Sequence, residues 1–130
     1  MVFPSLETER LLLTALQPDD AQSIFTLFSN PAVVEYYDLD AFCEPQQATN
    51  LISLFQARYE DKLGIRWAIR LKTTGQLIGT CGFNSWSSKM RNAVIGYDLL
   101  PEFWQQGYAF EAVYAMVKAG FSGVLACGQL

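Results

Sequence analysis

The chain contains no histidine. That removes the commonest general base, the Ser–His and Cys–His nucleophile pairs, and the commonest metal ligand. Cysteine is scarce: Cys43, Cys81 and Cys127 lie far apart, their number is odd, and no C-x-x-C occurs. A disulfide framework and a metal site are therefore not expected, and the thiols read as reduced side chains of a cytoplasmic protein. Long apolar runs are missing too. No stretch reaches the roughly 18 uninterrupted apolar residues that a membrane helix needs. The best candidate, Ala109 to Cys127, is interrupted by Glu111, Lys118 and glycines. The opening MVFPSLETER lacks the apolar core of a signal peptide and carries Glu7 and Glu9. Any chemistry is left to carboxylates, tyrosines, water and the backbone.

What is present is apolar. Hydrophobic residues make up 51% of the 130 and aromatics 14%, which suits one domain with its own core and excludes a disordered tail. The net charge of −4 is unevenly spread: residues 1–50 hold eight acidic side chains against Arg10 alone, whereas residues 51–130 hold five acidic and eight basic ones. Solvated faces explain this blandly. A functional reading sets an anionic ligand against the second half and a cationic one near Glu35, Asp38 and Asp40 in the first. Nucleic acid suits so acidic a chain poorly, and no membrane partner is expected.

Periodicity orders the elements. Arg10 to Leu16 reads as a buried strand. Pro18-Asp19-Asp20 opens a helix with an aspartate N-cap, and Ala21, Ile24, Phe25 and Phe28 share one face until Asn30-Pro31. A short helical piece follows through Val33, Val34 and Tyr37. Glu44-Pro45 opens another helix, with Ala48, Leu51, Ile52, Phe55 and Tyr59 aligned, and Gly64 ends that region. Ile65, Trp67, Ile69 and Leu71 then alternate as a half-buried strand. Thr73 to Gln76 is turn chemistry, and Leu77 to Trp86 is the next strand, where Gly79 and Gly82 mark a bulge or close packing. After a basic loop at Lys89-Met90-Arg91, Ala93 to Leu100 is a further strand. Tyr108 to Ala119 reads as a helix buried nearly all round, with Gly120 as its C′ residue. The order β, α, α, β, β, β, α is an α+β (α/β-layered) arrangement with a mostly antiparallel meander. Trp67, Trp86 and Met116 read as packing residues, and Tyr36-Tyr37 as core or rim.

One stretch needs a separate argument. In WQQGYAFEA, residues 104–112, a glycine stands where a strand end passes into a helix. The first backbone N–H groups of a helix are unpaired and the dipole favours negative charge. Gly107 removes a Cβ that would block close approach, and Gln105 and Gln106 add amides. Neither the Walker A pattern nor G-x-G-x-x-G is present. By pattern alone the stretch is an ordinary turn or an anion site.

The stretch IGYDLLPEFWQQGYAFEA, residues 95–112, resembles the GNAT family of acyl-CoA-dependent N-acyltransferases, in its ribosomal-protein-alanine and aminoglycoside-type subgroup. Residues 8–37 are similar to that subgroup's first strand and helix, and residues 67–83 to its central hairpin. The family's loop reads Q/R-x-x-G-x-G/A, which Gln105, Gln106, Gly107, Tyr108 and Ala109 fit if Trp104 takes the first polar position or the spacing is relaxed. The resemblance implies a GNAT-like fold, acetyl-CoA as co-substrate, and transfer of its acetyl group to a primary amine. It implies that the loop amides hold the coenzyme pyrophosphate, and that the preceding strand, with Leu99 and Leu100, lends backbone groups to the pantetheine arm.

The sequence departs from the family twice. Many relatives carry a glutamate two residues before the strand glycine, where this chain has Val94; Asp98, Glu102 or a water is then the candidate base, and Asp98 reads equally as a strand-end residue. Relatives also continue with a strand, a helix and a hairpin that supply a tyrosine acid, whereas the sequence stops at Leu130. The expectation is a single domain over residues 1–130, incomplete at its C-terminus; its last strand edge is then left unpaired by truncation, covered by a second copy in a homodimer, or exposed in a fragment that folds poorly alone, and a truncated relative is the reading favoured. The alternative function is a catalytically silent fragment that binds coenzyme A or dimerises.

Overall fold

Residues 3–35, 40–61, 63–87 and 92–121 are described by a computed structural model. Four strands run antiparallel in chain order: Leu11–Ala15 (β2), Ile65–Leu71 (β3), Leu77–Ser87 (β4) and Asn92–Leu99 (β5). A strand of two residues, Leu6–Glu7 (β1), pairs outside β2 and makes the sheet five-stranded. β1 is too short to show alternation, so nothing in the pattern announces it. It is held by the Thr8 turn, where Thr8 N–H donates to the Leu11 carbonyl at 2.9 Å and Leu11 N–H to Thr8 Oγ1 at 3.0 Å.

The helices are Ala21–Phe28 (α1), Pro31–Val34 (α2), Pro45–Glu60 (α3) and Tyr108–Phe121 (α4). Pro18–Asp20 forms a 3-10 turn ahead of α1. Asp20 stands at the N-cap position of α1, as the sequence suggests, but its side chain makes no cap hydrogen bond to that helix. Gln17 caps the 3-10 turn, and its N–H donates to Asp20 Oδ2 at 2.8 Å. α3 starts as the Glu44-Pro45 pair implies, with Gln47 Oε1 accepting from the N–H groups of Cys43 and Glu44 at 2.8 and 2.9 Å. Asn30 caps α2 by accepting from Ala32 N–H at 2.9 Å.

The sheet is covered on both faces. Ile65, Trp67 and Ile69 of β3 join Ala112 and Met116 of α4 in one core, while Ala68 joins α1, α2 and α3 in the other. β3 is therefore not half-buried. Arg66 is only 7% exposed, and its neighbours Trp67, Ala68 and Ile69 are closed off completely. Arginines give the alternation the pattern of one wet face, but Arg66 and Arg70 are ion-paired with Asp98 and Asp20. The expected close packing at the strand glycines is present: a Cβ on Gly82 would stand 2.0 Å from the Ile65 carbonyl oxygen. The register shift falls between Phe83 and Ser85, and another between Ile69 and Arg70 of β3.

α4 differs from expectation in two ways. It continues through Gly120 to Phe121, so that glycine lies inside the helix. A helical glycine costs about 1 kcal/mol relative to alanine, less than the packing of the helix's buried face supplies. Nor is α4 buried all round: Phe110 is 75% and Tyr114 59% exposed, their rings stacked at 5.9 Å. One helix on one sheet face has one buried stripe, here Ala112, Met116 and Ala119. The expectations for Tyr36, Tyr37, Asp38, Cys127 and the loop 88–91 lie outside the described residues, as does the side chain of Trp86. Truncating Met116 to alanine should cost about 2–5 kcal/mol. Tyr114→Ala should stay within about 1 kcal/mol; urea unfolding of both variants checks which side of α4 is core.

Candidate functional site

A cavity of about 750 Å³ opens at the β5 edge of the sheet. Its walls are β5 from Ile95 to Leu99, α2 at Ala32 and Val33, and the segment running from Phe103 through Gly107 to Phe110. Volumes of this order suit a ligand of cofactor size.

β5 brings backbone to this cavity by simple alternation. Leu100 N–H donates to the Ile78 carbonyl of β4 at 2.9 Å. In an antiparallel ladder the neighbouring peptide points the other way, so Leu99 directs its N–H and carbonyl away from β4, toward the cavity. The Trp104 indole N–H closes on that carbonyl at 2.8 Å. Leu100 itself does not line the cavity; it is buried against α1 and α2, with its amide committed to the sheet.

The segment from Leu100 to α4 is wound tightly. Phe103 N–H donates to the Leu100 carbonyl at 2.9 Å and Trp104 N–H to Pro101 at 3.0 Å. Gln105 then adopts φ +62° and Gly107 φ +85°. A left-handed glycine is expected in such a turn; a left-handed glutamine is uncommon and is held by its surroundings. Gln106 turns back, its Nε2 donating to the Glu102 carbonyl at 2.7 Å. α4 starts at Tyr108, and its first closed bond runs from Glu111 N–H to the Gly107 carbonyl at 3.0 Å. The N–H groups of Tyr108, Ala109 and Phe110 precede it and have no partner within the helix.

Of the residues expected to hold a cofactor, Leu99, Gln105, Gly107 and Ala109 line the cavity. Leu100, Gln106 and Tyr108 are not among its lining residues. Tyr108 packs its ring edge-on to Phe103 at 6.0 Å and lies under the Arg10 guanidinium at 4.2 Å.

The two carboxylates singled out in the sequence separate. Asp98 lines the cavity, but its carboxylate is buried in a network with β3 and β4. Arg66 Nη2 donates to Oδ2 at 2.6 Å, Thr80 N–H to Oδ1 at 3.0 Å, and Thr80 Oγ1 lies 2.8–2.9 Å from both oxygens. Glu102 is exposed and is not among the lining residues. Among the described residues no group of three or more Cys, Asp and Glu is placed to hold a metal, and no helix is long and apolar enough to cross a membrane.

The uneven charge is offset in part in three dimensions. Arg70 of the basic half pairs with Asp20 of the acidic half at 2.7 Å, and Lys72 with Glu7 at 2.5 Å. No basic side chain lines the cavity among the described residues. The cation near the loop comes instead from the acidic half. Arg10 donates through Nε to Glu111 Oε1 at 2.7 Å, through its backbone N–H to Oε2 at 2.9 Å, and through Nη1 to the Gln106 carbonyl at 3.1 Å. Thr8 Oγ1 donates to the same carboxylate. Burial pushes the Glu111 carboxyl up, but these hydrogen bonds and the Arg10 charge together hold it below its ordinary value. The sequence reading missed this cluster. Its signal was a single carboxylate early in an apolar helix and a single arginine in an acidic half-chain.

Known proteins share this sequence pattern and this fold. Residues 10–126 match the profile of the acetyltransferase (GNAT) domain. The uncharacterized N-acetyltransferase YoaA of Bacillus subtilis (strain 168) is 44% identical over 123 residues, covering 95% of this chain and 70% of that protein. The crystal structure of the microcin C7 self-immunity acetyltransferase MccE, in complex with acetyl-CoA and AMP, superposes with a TM-score of 0.79 at 19% identity, over 90% of this chain and 66% of that one. The ribosomal L7/L12 alpha-N-protein acetyltransferase RimL, in complex with coenzyme A, gives a TM-score of 0.79 at 17% identity, over 88% and 66%. At such identities the two structures speak for the fold alone.

Two outcomes test the site's electrostatics. Asp98→Ala leaves Arg66 buried without its carboxylate and should cost about 3–5 kcal/mol, most of it recovered when Arg66→Met is added. The folded Glu111 pKa lies below its ordinary 4.5, so its stabilisation is complete above about pH 4.5 and is lost as pH falls through the lower folded value. Urea unfolding across the acid range should therefore show a shallower loss of stability in Glu111→Gln than in the wild type.

Proposed function

From the premise that the chain belongs to the acetyltransferase (GNAT) family, we propose that it transfers the acetyl group of acetyl-CoA to a primary amine, a protein N-terminus or a small amine. The observation that carries this reading is the convergence of the Leu99 edge amide and the α4 N-terminus on one cavity. The left-handed Gly107 leaves the loop without a side chain there, and the amides of Tyr108, Ala109 and Phe110 supply donors and the positive end of the α4 dipole to the coenzyme pyrophosphate. Gln105, Gln106 and Tyr108 shape that turn. The thioester lies along β5, where the Leu99 N–H receives its carbonyl oxygen.

The reaction is addition and elimination. The amine nitrogen attacks the thioester carbon, the C–N bond forms, and negative charge gathers on the oxygen facing Leu99. An aimed backbone N–H stabilises that charge. The C–S bond then breaks, the electron pair leaves with the thiolate, and the ammonium proton passes to water. We assign Asp98 to positioning: its buried carboxylate, held by Arg66 and Thr80, fixes the strand next to Leu99. Glu102 is the carboxylate left for proton transfer through solvent. Most of the acceleration then comes from holding the two reactants together. The acceptor enters past α2, whose Ala32 and Val33 form the opposite wall and whose end carries exposed Glu35; Asp40 is exposed as well.

Calorimetric titration with acetyl-CoA, followed by thiol release with a panel of amines, tests the reading. Binding with amine-dependent thiol release supports it, binding without release leaves a coenzyme-binding module, and absence of binding overturns it. Gly107→Val is a poor probe of the loop, because φ +85° strains a β-branched residue whether or not a ligand binds. Gln105→Glu is better: the side chain is exposed and lines the cavity, so a carboxylate should weaken coenzyme binding about tenfold with stability within about 0.5 kcal/mol. Neutralising Glu35, Asp38 and Asp40 together should raise the acceptor KM and leave coenzyme affinity unchanged.

A further inference from the structure

We infer that Arg10 is a positioning residue for the coenzyme loop, acting from the β1–β2 turn without lining the cavity; the inference rests on the proposed acetyl-CoA reading. Three contacts converge on its one guanidinium. Nη1 donates to the carbonyl of Gln106, the residue between the two left-handed positions Gln105 and Gly107. The charge lies 4.2 Å above the ring of Tyr108, the first residue of α4. Nε joins Glu111, one turn further on, whose other oxygen is taken by Arg10's own backbone N–H and by Thr8.

The bonds of Phe103 and Trp104 hold the segment before the loop, but residues 105–107 themselves have little else to hold them. Gln105, Gln106 and Gly107 are exposed, and the Gln106 amide reaches only the Glu102 carbonyl within the same loop. A glycine two residues after a left-handed glutamine has many accessible conformations, most of which turn the following N–H groups away from the cavity. Arg10 ties the carbonyl before Gly107 and the ring after it to a carboxylate that is itself anchored on the sheet. The peptide planes at Gly107 and Tyr108 are then fixed before any ligand arrives, which is preorganisation of a backbone site by a side chain. The guanidinium suits this because its planar fork serves two acceptors at once and stacks on an aromatic ring, whereas an ammonium is a point charge. A Cβ on Gly107 would stand 3.2 Å from Arg10 Nη2, so the arginine also closes the outer side of the loop.

The test is a double-mutant cycle read in coenzyme A affinity by calorimetry, at a temperature where every variant is folded. Arg10→Gln and Glu111→Gln should each weaken binding about tenfold, and the double variant should be no weaker than the weaker single one. The salt dependence of binding should stay as in the wild type, because no charge contact with the ligand is lost. In turnover, the coenzyme KM should rise while the acceptor KM does not. Arg10→Lys keeps the charge and the ion pair but cannot serve Gln106 together with Glu111, so it should lose affinity as Arg10→Gln does. Full affinity in the lysine variant, additive losses, or a weaker salt dependence in Arg10→Gln would make Arg10 a direct charge for the ligand and overturn the proposal. Unchanged affinity in all variants would leave the cluster purely structural and overturn it as well. If the wild type binds no coenzyme A, the acetyl-CoA reading fails, and this inference with it.

Discussion

An antiparallel strand turns every second peptide away from its neighbour, and the cavity depends on which peptides of β5 are turned. Leu100 is bonded to β4, so Leu99 is not. A slip of one residue would put the Leu100 amide at the cavity and move Leu99 out of the α4-side core. That register is pinned from the next position along the strand. Asp98 accepts from Thr80 of β4 and Arg66 of β3, so one buried carboxylate locks three strands together. Its environment is costly to create and more costly to break, which suits a device that sets register.

The charged side chains of the described sheet are largely used up in holding it together. Arg66, Arg70 and Lys72 bind Asp98, Asp20 and Glu7, and Arg10 binds Glu111. In the proposed function, recognition of an anion at the β5 edge therefore falls to peptide groups, whose direction is set by secondary structure. Such donors cannot be lengthened or rotated like a lysine side chain, so the geometry of the turn carries most of the specificity. This is why contacts outside the cavity matter to it.

Much of the fold was legible. The change of period from 3.6 to 2 near Gly64 separated the helical half from the meander, and Pro18, Pro31 and Pro45 marked where each helical piece begins. The glycine loop was legible from Gly107 and the apolar helix behind it. What could not be read depends on pairing across long sequence distances. Arg66 and Arg70 looked solvated because their carboxylates lie 32 and 50 residues away. Asp98 looked available as a base until its partners were placed around it. β1 is two residues long, and its existence follows from a hydroxyl closing the Thr8 turn rather than from any periodic pattern.

A bare strand edge offers donors and acceptors in equal number, and so is as ready to take up another strand as a ligand. At Leu99 that symmetry is removed. The Trp104 indole, a group that can only donate, occupies the carbonyl and leaves the N–H. The edge at this point is therefore biased in polarity: its N–H is open to an electron-rich oxygen, while the carbonyl that a docking strand would also use is already engaged. Trp104 thus acts as a filter on what kind of chemical group can settle beside Leu99.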